Sequence, residues 1–202
     1  ANKEILVSAG DFIRDLILKS NALLLPIDSE HNAILQIILS SGLDLKIFHN
    51  DYYKSKINKL TITASGGPFL DYKLTDLQKV TPKEAVMHPT WKMGDKISVD
   101  SSTMMNKGLE IIEAKLLFNL DLSNIDAVIH RQSQVHALVD FFDGTTIAHF
   151  SQPDMRIPIS YALTFPDRLY TTASKSCDFS NLTFEAVPIT KFPCYQIARD
   201  VA

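Results

Sequence analysis

Apolar residues recur at helical spacing as soon as the chain begins. Ile5, Leu6, Ala9, Phe12, Ile13, Leu16 and Ile17 predict a helix from Ile5 to Ser20. A short apolar run, Ala22 to Ile27, reads as a proline-containing strand that delivers Asp28-Ser29-Glu30, and a second helix follows from His31 to Ser40. Leu43 to Lys59 is polar and aromatic and reads as a surface connection. Leu60 to Ala64 alternates like a strand, and Leu74 to Val80 and Pro82 to Met87 read as short helices. Ile97 and Val99, with polar residues between them, fit a further short strand. A helix from about Met104 to Phe118 would bury Leu109, Ile112 and Leu116.

The second half is richer in strand patterns. Ile125 to Ile129, Val135 to Phe142 and Thr145 to Phe150 read as strands, the last two joined by Asp143-Gly144, a strong hairpin signal. Ile157 to Leu163 reads as a short helix, Tyr170 to Ile189 as an extended polar linker, and Cys194 to Ala202 as a helix just begun. Together these predict an α+β fold: a mixed, largely parallel sheet with ligands at its strand ends and helices covering one face. The hairpin suggests a subunit contact.

Composition narrows the function classes. Hydrophobic content of 46% and charged content of 21% over 202 residues are ordinary for a folded domain. A net charge of −3 argues against a dedicated nucleic-acid binder. No apolar run approaches the ~18–20 residues that span a bilayer. Cys177 and Cys194 have neither metal-type spacing nor a disulfide framework, which fits a reducing compartment. The chain lacks an initiator methionine, and both ends read as cut from something longer.

The candidate chemistry is concentrated in His88 to Glu110 and in Asp28 to Glu30. On the predicted helix Asn106, Lys107 and Glu110 share one stripe, just past the hydroxyls of Ser101, Ser102 and Thr103. That is either an anionic-ligand site or the solvated face of an amphipathic helix. Asp28 and Glu30, two apart in an extended segment, would share a face, unless Asp28 or Ser29 merely caps the next helix. Ser65-Gly66-Gly67-Pro68 is a ligand-approach loop or a plain turn. Trp91 is a core residue or an apolar lid on a loop. His130 and His136 read as structural.

Ala1-Asn-Lys-Glu4, Pro26 to Ala33, Ser65 to Phe69, His88 to Glu110 and Pro153 to Pro158 resemble, in residues and order, the 1-deoxy-D-xylulose 5-phosphate reductoisomerase family. The resemblance covers essentially the whole chain but only the middle half or so of a family member. It implies that residues 1–28 end an NADPH-binding Rossmann-like domain and that 29–163 form the central catalytic and dimerisation domain. It makes 164–190 an extended linker and 191–202 the start of a C-terminal helical domain.

It further implies a homodimeric enzyme of non-mevalonate isoprenoid biosynthesis. Using NADPH and Mg²⁺ or Mn²⁺, such an enzyme converts 1-deoxy-D-xylulose 5-phosphate to 2-C-methyl-D-erythritol 4-phosphate in bacterial cytoplasm or a plastid-type organelle. The implied metal ligands are Asp28, Glu30 and Glu110, which with Lys3 make up the catalytic set. Substrate contacts fall on Lys3, Ser29, Glu30, Ser65, His88, Ser101, Asn106, Lys107 and Glu110. Cofactor contacts fall on Asn2, Glu4, Met93 and Gly94, and a lid on Trp91 and Met93. With so little of the nicotinamide side present, this chain alone is expected to be inactive as a reductase. The alternative is a non-catalytic metal- or phosphosugar-binding or dimerisation module. One departure is Arg131, where the family often has proline after the histidine.

Overall fold

The structure, a computed structural model, describes residues 3–20, 22–48, 52–91, 93–172 and 175–202. The expected cofactor residue Asn2 lies outside them. Five strands form one mixed sheet in the order β4-β3-β1-β2-β5. β1 (Ile57–Ala64) lies at its centre, parallel to β2 (Ile125–Ile129) and antiparallel to β3 (Val135–Phe141). β4 (Thr146–Phe150) extends β3 through the hairpin at Asp143-Gly144, as its turn residues predict. The sheet is therefore mixed, but the expected parallel excess is corrected: one pairing is parallel and three are antiparallel. The hairpin and β5 (Glu185–Ala186) account for the difference. β5 lies inside the predicted linker and adds antiparallel to β2 at the far edge.

Register puts the small and branched residues on one face. Leu60 pairs with Ile125 and Val139, and Ile62 with Ala127 and Ala137, so these side chains point together. Two helices, α2 (Ser29–Ser40) and α6 (Met105–Phe118), lie against the strands. α1 (Lys3–Ser20) and α8 (Pro193–Val201) pack in turn on α6. Gly108 permits the α6–α8 approach, because a Cβ there would lie 2.4 Å from the Ala198 Cβ. The short helices α3 (Leu74–Leu77) and α4 (Pro82–Ala85) follow β1, the latter opened by a reciprocal Thr81–Glu84 capping box. α7 (Arg156–Thr164) follows β4.

Four local expectations are corrected. Ile97 and Val99 lie in a helix, α5 (Asp95–Ser102), not a strand. Its buried residues are Ser98 and Ser102, four apart, whose hydroxyls bond back to the Gly94 and Val99 carbonyls at 3.0 and 2.7 Å. Small polar side chains satisfied by their own helix can be buried, and apolar alternation hides this. Ala22 to Ile27 is irregular rather than a strand. Leu43 to Lys59 is not only surface: Phe48 and Tyr53 are core residues, and the Tyr53 hydroxyl donates to the Asp44 carbonyl while accepting from the Lys46 amide. On α6, Leu109, Ile112 and Leu116 are only half-buried, whereas Lys107, Glu110 and Glu113 are buried.

Candidate active site

One pocket, enclosing about 800 Å³ that is partly open to solvent, gathers side chains from distant segments. α1 contributes Lys3, and the turn into α2 contributes Asp28, Ser29 and Glu30. Asp28 stands at the α2 N-cap position but makes no capping bond with its side chain, which leaves its carboxylate for other partners. The carboxyl end of β1 supplies Ser65. Met104 takes a left-handed conformation (φ 60°) between α5 and α6. That break turns Ser101 and Asn106, Lys107 and Glu110 towards the same space. Gly67 (φ +68°) allows the loop after β1 to lie against the end of α5; a Cβ would sit 2.6 Å from the Ser101 carbonyl oxygen.

Three carboxylates are partly neutralised by two ammonium groups here. Lys3 Nζ lies 2.6 Å from Asp28 Oδ2 and 3.4 Å from Glu110 Oε1. Lys107 Nζ lies 2.6 Å from Glu30 Oε1 and also contacts the second oxygen of Glu110. Asn106 Nδ2 donates to Glu110, and the Ser29 hydroxyl donates to Glu30 at 2.7 Å. Lys3 and Lys107 are each 4% exposed and Glu110 2%, so the pairs are screened little by water.

Burial by itself would discharge both lysines, but the carboxylates of Glu110, Asp28 and Glu30 around Lys3, and of Glu110 and Glu30 around Lys107, hold both above their ordinary values. Burial and the neighbouring Glu30 charge raise Glu110. Glu30 goes the other way: Lys107 overcomes the cost of burial and brings it to about 2.

The far side of the pocket is neutral and donor-rich. His88 Nδ1 accepts the backbone N–H groups of Thr90 (3.1 Å) and Trp91 (2.8 Å). Its hydrogen must then sit on Nε2, which donates to Ser65 Oγ at 2.8 Å. Burial lowers the pKa of this imidazole, consistent with the neutral ring. Ser65 Oγ also accepts from the Gly67 amide at 3.3 Å. Its own hydroxyl hydrogen is thereby left for a ligand. Trp91 and Met93 line the pocket wall, and the Trp91 ring meets His136 edge-on at 6.3 Å.

The residues predicted from sequence divide unevenly. Lys3, Asp28, Ser29, Glu30, Ser65, His88, Trp91, Met93, Ser101, Asn106, Lys107 and Glu110 all line this pocket. Glu4 and Gly94 do not: Glu4 pairs with Lys96 at 2.9 Å, and Gly94 precedes α5 as its N-cap. His130 and His136 bond the backbone carbonyls of Thr183 and Ser151, in keeping with structural roles. Sequence reasoning missed Met155, which closes one wall, and the buried His31 and Glu113 behind the carboxylates. Glu113 one turn beyond Glu110, and His31 beside Glu30, were the available signals.

Among the described residues, the set whose ligand atoms all lie within 4.8 Å of one another is Asp28, His31 and Glu113. Asp28, Glu30 and Glu110, the trio expected to hold a metal, are instead engaged by the two ammonium groups. Burial raises Glu113 to about 7.

Fold and pocket define a mixed α/β domain with a buried, charge-compensated site at strand and helix ends. Comparison with known proteins narrows this class. Residues 24–118 match the 1-deoxy-D-xylulose 5-phosphate reductoisomerase C-terminal domain, and residues 150–202 match the DXP reductoisomerase C-terminal domain. The 1-deoxy-D-xylulose 5-phosphate reductoisomerase of Thermoanaerobacter pseudethanolicus is 48% identical over 99% of this chain and 50% of its own length. That of Methylococcus capsulatus is 47% identical over the same shares.

Among solved structures, a DOX-P reductoisomerase in complex with NADPH, fosmidomycin and magnesium is similar at a TM-score of 0.89. It is 46% identical over 99% of this chain and 49% of that one. The Zymomonas mobilis reductoisomerase in complex with NADPH is similar at a TM-score of 0.84 and 41% identity, over the same shares. The chain belongs to the 1-deoxy-D-xylulose 5-phosphate reductoisomerase family, and it spans about half the length of the curated relatives it matches. No helix among the described residues is long and apolar enough to cross a membrane.

Proposed function

We propose that this chain carries the metal- and phosphosugar-binding half of a reductoisomerase. The whole protein would isomerise and reduce 1-deoxy-D-xylulose 5-phosphate to 2-C-methyl-D-erythritol 4-phosphate, as a homodimer in the bacterial cytoplasm. The observation that carries this reading is the convergence of Lys3, Asp28, Glu30, Lys107 and Glu110 from separate segments into one buried pocket. Relatives named as reductoisomerases at 46–48% identity weigh against a non-catalytic module.

An all-oxygen donor set without sulfur suits a hard cation such as Mg²⁺ or Mn²⁺, with Asp28, Glu30 and Glu110 as its ligands. When bound, the cation supplies Lewis-acid polarisation and NADPH supplies hydride. The chain's own residues bind and orient. Lys107, kept charged by its carboxylate neighbours, and Asn106 are presented on the first turns of α6 towards a phosphate, with Ser101 beside them. Ser65 adds its free hydroxyl hydrogen, because His88 already donates to its oxygen. Lys3 and Ser29 reach the hydroxyls of the sugar chain. Trp91 and Met93, gathered at the pocket by the His88–backbone bonds, exclude water as a lid.

NADPH would meet this half through Met93 at the pocket and through Glu4 and Gly94 outside it. Asn2, the other expected contact, lies outside the described residues. Residues 1–28 would close a nucleotide-binding domain, 29–163 would form the catalytic and dimerisation domain, 164–190 would be the linker, and 191–202 would open a helical domain.

The test uses the intact protein, following NADPH oxidation with 1-deoxy-D-xylulose 5-phosphate. Turnover should vanish in EDTA, return with Mg²⁺ or Mn²⁺, and fall about 100-fold or more in Glu110→Gln, the loss expected when a metal ligand is removed. A near-normal rate in Glu110→Gln would remove Glu110 from the site. The 202-residue chain by itself should show no NADPH turnover.

A further inference from the structure

Behind the pocket lies a buried polar pair that neither lines it nor faces solvent. His31 and Glu113 are both 0% exposed. His31 follows Glu30 on α2, and Glu113 stands one turn after Glu110 on α6. His31 Nε2 lies 2.8 Å from the Glu110 carbonyl oxygen. A carbonyl only accepts, so Nε2 carries a hydrogen and donates it. Nδ1 on the other side of the ring lies 3.1 Å from Glu113 Oε2. Nδ1 and both oxygens of the Glu113 carboxylate have no hydrogen-bond partner among the described residues, so their 3.1 Å approach is a close contact between two unsatisfied buried groups. Buried polar groups left without a partner are costly, and each of these two is the other's nearest ion-pair partner. One imidazole thus bonds α6 at Glu110 and stands against Glu113 one turn on, at the level where Glu30 and Glu110 enter the pocket.

We propose that His31 and Glu113 are positioning residues: a buried clamp between α2 and α6 that sets the separation of the Glu30 and Glu110 carboxylates for the cation. Glu30 and Glu110 enter the pocket from facing helices with the Lys107 ammonium between them, and the clamp fixes those helices from behind without touching the ligand. Asn32 braces the same helix end, since its Nδ2 donates to the Pro26 carbonyl at 3.0 Å while its Oδ1 accepts from Gln36 at 2.7 Å. That bond holds the segment that presents Asp28. The clamp rests on the metal reading given above. Its rival is direct ligation, because Asp28, His31 and Glu113 offer ligand atoms within 4.8 Å of one another.

The experiment is calorimetric titration of the intact protein with Mn²⁺ alone, with folding followed by circular dichroism. Asp28→Asn is the control for the metal site. If wild type shows no Mn²⁺ binding that Asp28→Asn removes, the metal reading itself fails, and the clamp with it. Given such binding, Glu113→Leu should weaken Mn²⁺ at least tenfold while folding is retained, the size of loss usual for outer partners of metal ligands, ~10–100-fold. Glu113→Gln, whose amide N–H can still meet Nδ1, should stay within about threefold of wild type, a change too small to reach even that lower limit. His31→Gln, which cannot span both partners, should behave as Glu113→Leu does and decides the matter if the leucine variant does not fold. Wild-type affinity in Glu113→Leu or in His31→Gln overturns the clamp. Equal weakening by Glu113→Gln and Glu113→Leu overturns it in favour of direct ligation by Glu113.

Discussion

Two ion-pair networks in this chain have nearly the same distances and opposite surroundings. In the pocket, Lys3 and Lys107 meet Asp28, Glu30 and Glu110, with side chains between 2% and 16% exposed. At the sheet edge, Arg131 holds Asp71 through two nitrogens at 2.8 and 2.9 Å and Glu185 through Nε at 2.8 Å, with side chains 39%, 78% and 49% exposed. Arg131 thereby links the loop after β1 to β5. Geometry alone would rank the bidentate arginine above the lysines. Burial reverses that order. Exposed pairs are screened and already solvated, whereas buried charges have given up their hydration and depend on one another. The pocket network is therefore the costly one to break, and the one a ligand can exploit by taking over a partner.

The largest effect should come from breaking the pocket. Lys107→Met leaves Glu30 and Glu110 facing each other without the intervening ammonium. In EDTA, urea unfolding should show a loss of about 3–5 kcal/mol, the range for removing one member of a buried pair. Saturating Mn²⁺ should restore part of that loss, because a cation can replace the ammonium between the carboxylates; no restoration would separate the carboxylates from metal binding.

An intermediate effect is expected from a half-buried base. Burial first, and then His136 and Arg168, bring His149 on β4 down to about 4. The unfolded chain then binds the proton more readily between pH 6.5 and 4, so folding stability falls as pH falls through that window. Over the whole window the contribution has an upper limit of about 3 kcal/mol, from roughly 1.4 kcal/mol per pH unit. His149→Phe should flatten this part of the stability–pH curve, and an unchanged slope would assign it to other groups.

The smallest effect belongs to the surface network. Asp71→Asn should change stability by less than about 1 kcal/mol, and less still at high salt. A loss above 2 kcal/mol would mean that Arg131 organises the β1 loop as the pocket lysines organise the site.

The same contrast between burial and exposure explains what could be read from sequence. Asp28, Glu30, Asn106, Lys107 and Glu110 stood out because their residue types and spacing suit a charged ligand, and the structure places them in one pocket. The hairpin at Asp143-Gly144 and the strand Ile125–Ile129 were equally legible, since turn chemistry and alternation are local. Where the period is polar, local reading failed. Ser98 and Ser102 disguised α5, and the apolar Leu109, Ile112 and Leu116 drew attention from the charged face that α6 buries.

The amino-acid sequence by itself determined most of the helices and strands, the carboxylate and lysine inventory, and the family, because these depend on residue type and on spacing of a few positions. Only the tertiary structure decided that three of four strand pairings are antiparallel, that β5 joins the edge, and that His31 and Glu113 meet behind the site. Those outcomes depend on which distant segments exclude water from one another, and burial of a charge is set by everything packed around it rather than by its neighbours in the chain.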